Sequence, residues 1–178
     1  PGSPGAADDA AGTAAALEIA RAIKAKGQPA RDVILLITDG EESGLLGAQA
    51  FFDQHPLADR VGFLLNMEAR GNGGRAQMFQ TGADNAGAIE LFRNSAVSPV
   101  ASSLTVFLYE HMPNDTDFSV PKARGIAGLN YAFIGSQFDY HAPTSTPANL
   151  EKGSLQHLGA QVLAAADAAA FAAALPAK

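Results

Sequence analysis

Four acidic or imidazole positions hold the residue types able to do chemistry, and each follows an apolar run or opens a helix: Asp8-Asp9, Glu41-Glu42, Glu68 and His141. Asp39-Gly-Glu-Glu-Ser-Gly44 comes straight after Val33-Ile-Leu-Leu-Ile37 and so plants two adjacent carboxylates at the carboxyl end of an expected buried strand. Open α/β sheets bind their ligands outside those ends. Adjacent glutamates point different ways, so one can hold a cation while its neighbour moves protons, the division of labour that metal-assisted hydrolysis requires. Each position also has an inert explanation: Asp8-Asp9 as a helix cap, Glu41-Glu42 as a solvated turn, Glu68 as a strand-end charge, His141 as a turn residue. Their convergence is what would separate the two. One histidine with several carboxylates makes a zinc site of nitrogen and oxygen ligands.

The elements that must bring them together alternate. Gly12 to Lys26 reads as a helix with Ala16, Leu17, Ala20 and Ile23 on one face and Gly27 as its stop. Val33 to Thr38 has no polar alternation, which predicts a strand covered on both faces. Gly44 to Gln54 is helical. Val61 to Leu65 is a second apolar strand, ending on Asn66-Met-Glu68-Ala-Arg70 before the glycine-rich Gly71-Asn-Gly-Gly74. Further strands are expected over 77–81, 104–109 and 129–134, with a helix over 86–96. A last helix from Ser154 to Ala174 places Leu155, Leu158, Val162, Ala165 and Ala169 on one face. Such alternation means an α/β layered sheet.

The chain has 178 residues, 47% hydrophobic and 17% charged, enough for one substantial core, and reads as a single domain. It has no cysteine, so disulfides, thiolate metal sites and cysteine nucleophiles are excluded, and any metal must sit on His, Asp or Glu. A formal charge of −6 without a Lys/Arg cluster argues against a nucleic-acid surface. No apolar stretch approaches the roughly 20 residues of a membrane span, so no membrane contact is expected of this stretch. Beginning on Pro1, it is expected to be a mature fragment or trimmed domain.

Five segments in order carry a resemblance over nearly the whole chain: Gly5-Ala-Ala-Asp8-Asp9-Ala-Ala-Gly12, Asp39-Gly-Glu41-Glu42-Ser-Gly-Leu-Leu-Gly47, Asn66-Met-Glu68-Ala-Arg-Gly71, Asn114-Asp-Thr-Asp-Phe118, and Tyr140-His141-Ala-Pro-Thr144 running on to Thr146-Pro-Ala-Asn-Leu150. The sequence resembles the clan MH di-zinc exopeptidases, the family of secreted bacterial leucyl aminopeptidases, glutamate carboxypeptidase, glutaminyl cyclase and the endoplasmic reticulum metallopeptidase. It is most similar to the last type and its bacterial relatives. The resemblance implies a three-layer α/β/α sandwich with a mostly parallel central sheet, the zinc-exopeptidase (phosphorylase/hydrolase-like) fold.

It further implies that Asp8 bridges two zinc ions, with Glu42 and His141 completing one and Glu68 serving the other. Glu41 becomes the general base, taking a proton from the attacking water and passing it to the leaving amine; zinc lowers the pKa of a water it holds to about 7. Tyr140 is placed to donate to the developing oxyanion. Asp117 is expected to steady Glu41 or a ligand.

Many relatives have Asp where Glu68 stands; the longer acid still binds zinc. The family's His-x-Asp ligand motif belongs ahead of Asp8, before Pro1, so one zinc site is expected to be complete in this stretch and the other not. His55, His111 and His157 are not expected to substitute. Arg70 and Tyr131 are structural by preference, with substrate contact as the alternative.

The implied activity is that of a zinc-dependent aminopeptidase acting on peptides with a free amino terminus. Glutaminyl cyclase-like acyl transfer or a catalytically silent binding domain are the competing possibilities. The family's habits imply an extracytoplasmic location.

Overall fold

The computed structural model describes residues 2–82 and 84–176. In chain order its elements are α1 (Ala10–Lys26), α2 (Leu46–Gln54), β1 (Phe63–Ala69), β2 (Gln77–Thr81), α3 (Ala86–Ser95), α4 (Ser103–Glu110), α5 (Ser119–Ala123), β3 (Ala127–Phe133) and α6 (Lys152–Phe171). Among these residues no helix is long and apolar enough to cross a membrane.

The sheet is built on β3, whose seven residues are all buried. It runs parallel to β1, with Phe63 opposite Ala127 and Ala69 opposite Phe133, and antiparallel to β2. The expected mostly parallel sheet is therefore a mixed one over the described residues, in the order β1-β3-β2. The cause is the short connection over 70–76: a parallel return needs a crossover of a dozen or more residues, whereas this loop only crosses the end of β3. Gly71 makes that crossing possible. It sits at φ +130°, and a Cβ there would lie 2.2 Å from the Gly135 carbonyl oxygen.

Side chains on β3 alternate between two environments. Leu129, Tyr131 and Phe133, all fully buried, face a core completed by α1, α3 and α6, including Ile19, Ile23, Phe92, Leu158, Val162 and Ala165. On the other face Gly128 leaves room for the buried ring of Phe118, at the start of α5. Helices thus cover both faces. The buried stripe of α6 follows the expected one, whereas that of α1 is Ala11, Ala15, Ile19 and Ile23, and Leu17 is 56% exposed. That face of α1 is the one turned to α6 and the core. Tyr131, one of the two candidate substrate contacts, is wholly buried and belongs to the core.

Two expected strands are corrected. Residues 104–109 lie in helix α4: Ser102 accepts from the Leu104 N–H at 3.2 Å as a helix cap, and an apolar run this short does not distinguish helix from strand by periodicity. Val33–Thr38 is not part of the sheet. No backbone group of 33–38 finds a backbone partner among the described residues, and Val33 to Ile37 are between 38% and 58% exposed. This segment and β1 both line an apolar cleft of about 980 Å³. Among the described residues the segment exchanges no backbone hydrogen bond with β1, whose partner is β3. A third boundary also moves: β1 runs on to Ala69, which puts Glu68 inside a strand instead of on the loop after it.

Candidate metal centre

Beyond Thr38 the chain reverses through Gly40 (φ +70°), a single 3-10 turn at Glu41–Ser43 and Gly44 (φ +101°) into α2. The turn is closed by Gly47 N–H donating to Asp39 O at 2.9 Å, and Asp39 spends its side chain on the Gly40 N–H at 2.8 Å. Of the three acids in Asp39-Gly-Glu-Glu, one builds the turn and the two glutamates are left to the site. Asp8 and His141 lie on loops joined by Ala6 N–H to Ser145 O at 3.1 Å, so residues far apart in sequence meet.

Ligand atoms of Asp8, Glu42 and His141 lie within 4.8 Å of one another, the one such group of three among the described residues. His141 Nε2 is 3.0 Å from Asp8 Oδ2 and also contacts Glu42 Oε1. Two anionic oxygens directed at one imidazole nitrogen are what a cation among them would satisfy, and the nitrogen–oxygen donor set suits zinc. These residues fit a metal ion. Burial, then the Glu42 charge, raises the Asp8 carboxyl, while His141 opposes the rise. The inert explanation of Asp8-Asp9 holds for its second residue: Asp9 caps α1, accepting from Gly12 N–H at 3.2 Å.

The other expected residues line or flank one acidic cleft of about 460 Å³, bounded by Asp8, Asp9, Glu41, Glu42, Glu68 and Asp117. Glu41 makes no side-chain hydrogen bond among the described residues. Burial first, then the charges of Glu42, Asp117 and Asp8, pushes its carboxyl up to about 7. Glu68 stands apart from the three-residue group, accepting from Asn66 Nδ2 at 2.9 Å, and burial holds it well above the carboxylate range. Among the described residues Asp117 makes no hydrogen bond to Glu41 or a proposed ligand; it accepts from the Thr38 hydroxyl, tying its loop to the base of the Glu41 turn. Tyr140 stacks on His141, with centroids 3.8 Å apart and planes at 20°. Its hydroxyl, pushed up to about 12 by burial and then by Asp8 and Glu42, keeps its proton and can donate.

Sequence reasoning passed over the groups that hold these acids. Asn130, fully buried on β3, accepts from Asn66 at 3.1 Å and donates to Gln80 at 3.1 Å and Thr116 at 2.9 Å, linking Glu68 to the loop that carries Asp117. Its one legible sign was a polar residue in an otherwise apolar strand. Asp9 is pushed up to about 8, chiefly by burial, and makes a further acid of the same cleft. His55, His111 and His157 are engaged elsewhere, with Leu57 N–H, Phe107 O, and both Ala76 N–H and Ser98 O, respectively.

Comparison with known proteins gives the family. The chain belongs to Peptidase family M28, whose sequence profile matches residues 1–166. It is 35% identical over 166 residues to endoplasmic reticulum metallopeptidase 1 of Mus musculus, covering 91% of this chain and 18% of that protein. It is 37% identical over 160 residues to a vacuolar membrane protease of Candida dubliniensis, covering 89% and 17%. This chain thus spans under a fifth of the length of these relatives.

Among solved structures, an aminopeptidase from Aneurinibacillus sp. strain AM-1 superposes with a TM-score of 0.69 at 20% identity, over 99% of this chain and 42% of that one. A zinc aminopeptidase from Bacillus subtilis gives 0.69 at 22% identity, over 98% and 44%. The zinc-aminopeptidase fold is therefore shared, and with it the α/β architecture read from the sequence.

Proposed function

We propose that this chain carries the catalytic centre of a zinc-dependent aminopeptidase. The observation that carries the proposal is the convergence of Asp8, Glu42 and His141 beside Glu41, whose side chain has no hydrogen-bond partner among the described residues. Asp8, Glu42 and His141 would hold one zinc ion, and Asp8 and Glu68 would be the acids available to a second. Bound there, zinc supplies the positive charge that polarises a peptide carbonyl and acidifies water.

The chain's own residues do the rest. Glu41 receives the proton of the attacking water and returns it to the leaving amine. A dication nearby opposes the rise of its carboxyl and favours the ionised form that accepts this proton. Tyr140 donates its hydroxyl proton to the oxygen that gains charge. Asp117 acts at one remove, by fixing Thr38 at the foot of the Glu41 turn. The ammonium of a free amino terminus is attracted by the surrounding carboxylates. Relatives named for the endoplasmic reticulum and the vacuolar membrane support an extracytoplasmic compartment.

The test is hydrolysis of leucyl anilide. Activity that is lost to a chelator and restored by zinc, and lost in His141→Ala, is expected. Hydrolysis that survives both chelation and His141→Ala would overturn the proposal.

A further inference from the structure

Arg70 is the cation that the mechanism leaves unused. Among the other arginines, Arg21, Arg60, Arg93 and Arg124 each meet an acid, whereas Arg31 and Arg75 donate to backbone carbonyls. Arg70 is half-buried and two residues from Glu68, yet no carboxylate lies within salt-bridge distance of it among the described residues. It is held instead by neutral groups. Nη1 donates to Asn114 Oδ1 at 3.2 Å, and the guanidinium lies over the Tyr140 ring, 5.6 Å from its centroid.

Its backbone is fixed as well, through Arg70 N–H to Phe133 O at 2.9 Å. A charge partly removed from water and left unpaired is costly unless a partner arrives. The tyrosine face and the asparagine orient the guanidinium, leaving its Nε and Nη2 without a hydrogen-bond partner among the described residues. That edge of the fork matches a carboxylate, which it can take with two parallel hydrogen bonds.

We propose that Arg70 is a specificity residue that binds a carboxylate of the substrate, through the Tyr140 platform that also stacks on His141. The proposal rests on the peptidase reading. Arg70 does not line the acidic cleft itself; it stands beside the proposed metal group through Tyr140 and His141, and so offers a negative group a place next to acids that attract an ammonium and repel anions. Two sources share this chemistry: the terminal carboxylate of a short peptide, and the side chain of an Asp or Glu.

Four peptides separate them: Leu-Gly against Leu-Gly-amide, and Leu-Glu-amide against Leu-Gln-amide. With the zinc-loaded chain, a terminal-carboxylate site favours the first member of the first pair in kcat/KM, and a side-chain site the first member of the second. The expected preference is roughly 10- to 100-fold, the worth of hydrogen bonds to a charged group, and it resides in KM. Arg70→Ala brings the ratio close to one, and Arg70→Lys recovers part of it. A wild-type ratio near one in both pairs, or a ratio unchanged in Arg70→Ala, overturns the proposal. If none of the peptides is hydrolysed, it is the peptidase reading that fails. Titration calorimetry of the same peptides against wild type and Arg70→Ala then tests the carboxylate site by itself, and equal affinities for both chains would refute it.

Discussion

Substituting Gly128 by alanine tests how the sheet positions the site. Gly128 pairs with Leu64 across β1 and β3, and a Cβ added there would lie 2.3 Å from the Leu64 carbonyl oxygen and 2.8 Å from Phe118 Cε2. Ordinary van der Waals contact begins near 3.4 Å, so about 1 Å must be found. Neither neighbour yields readily: one is strand backbone, the other a fully buried ring. Overpacking of this kind costs about 1–3 kcal/mol. For a domain of this size, each kcal/mol moves Tm by about 2–4 °C, so Gly128→Ala is expected to melt roughly 2–12 °C below wild type.

The control is Gly159→Ala within α6, where a Cβ meets nothing within 4 Å. Removing a helical glycine there stabilises by about 0.5–1 kcal/mol. Both melts are followed by circular dichroism in chelator, since bound metal adds its own stabilisation. Because Phe118 follows Asp117, the displacement also reaches Thr38 and the Glu41 turn. Equal melting of Gly128→Ala and wild type, or an equal loss in Gly159→Ala, would refute the packing argument.

Four further outcomes are expected. In chelator, the raised carboxyls of Asp9, near 8, and Glu41, near 7, make the folded chain bind more protons than the unfolded one above about pH 4. Stability is then full below the ordinary carboxylate range and is lost as pH rises through those values, so Tm is lower at pH 8.5 than at pH 5; a Tm that rises over this interval contradicts the acidic-cleft description. Amides of residues 34–37, which lack backbone partners, should exchange with deuterium far faster than those of β3, and equal protection would place them in the sheet after all. Metal analysis of this chain should find one tightly held zinc, not two. His141→Ala should weaken that zinc by more than the roughly 10- to 100-fold typical of losing a residue that only orients a ligand, and a smaller loss in competition titration would exclude His141 as a ligand.

Much of this was legible in the sequence because local chemistry and tertiary demand agree. The helix stop at Gly27, the β2 span and the α6 stripe follow from spacing alone, whereas Asp8, Glu42 and His141 are named as a ligand set through the resemblance carried by five segments in order. Where only three-dimensional neighbours decide, reading fails. Leu104–Tyr109 is apolar enough for either element until the Ser102 cap and the Phe79–Tyr109 contact, at 4.7 Å between centroids, fix a helix against β2. Val33–Ile37 has the composition of a buried strand, but composition does not supply a neighbouring edge at the right distance. Asn130 looks like an exception within an apolar strand; only the convergence of Asn66, Gln80 and Thr116 shows its use.

The central claim is that Glu41 moves protons beside a metal held by other residues. Glu41→Gln keeps the size of the side chain and removes its basicity, leaving Asp8, Glu42 and His141 in place. The most direct measurement is kcat for leucyl anilide and bound zinc on the same preparation. The expectation is wild-type zinc content with kcat lower by about 10²–10⁴-fold, the usual worth of a general base. Undiminished turnover in Glu41→Gln with zinc retained would contradict the assignment.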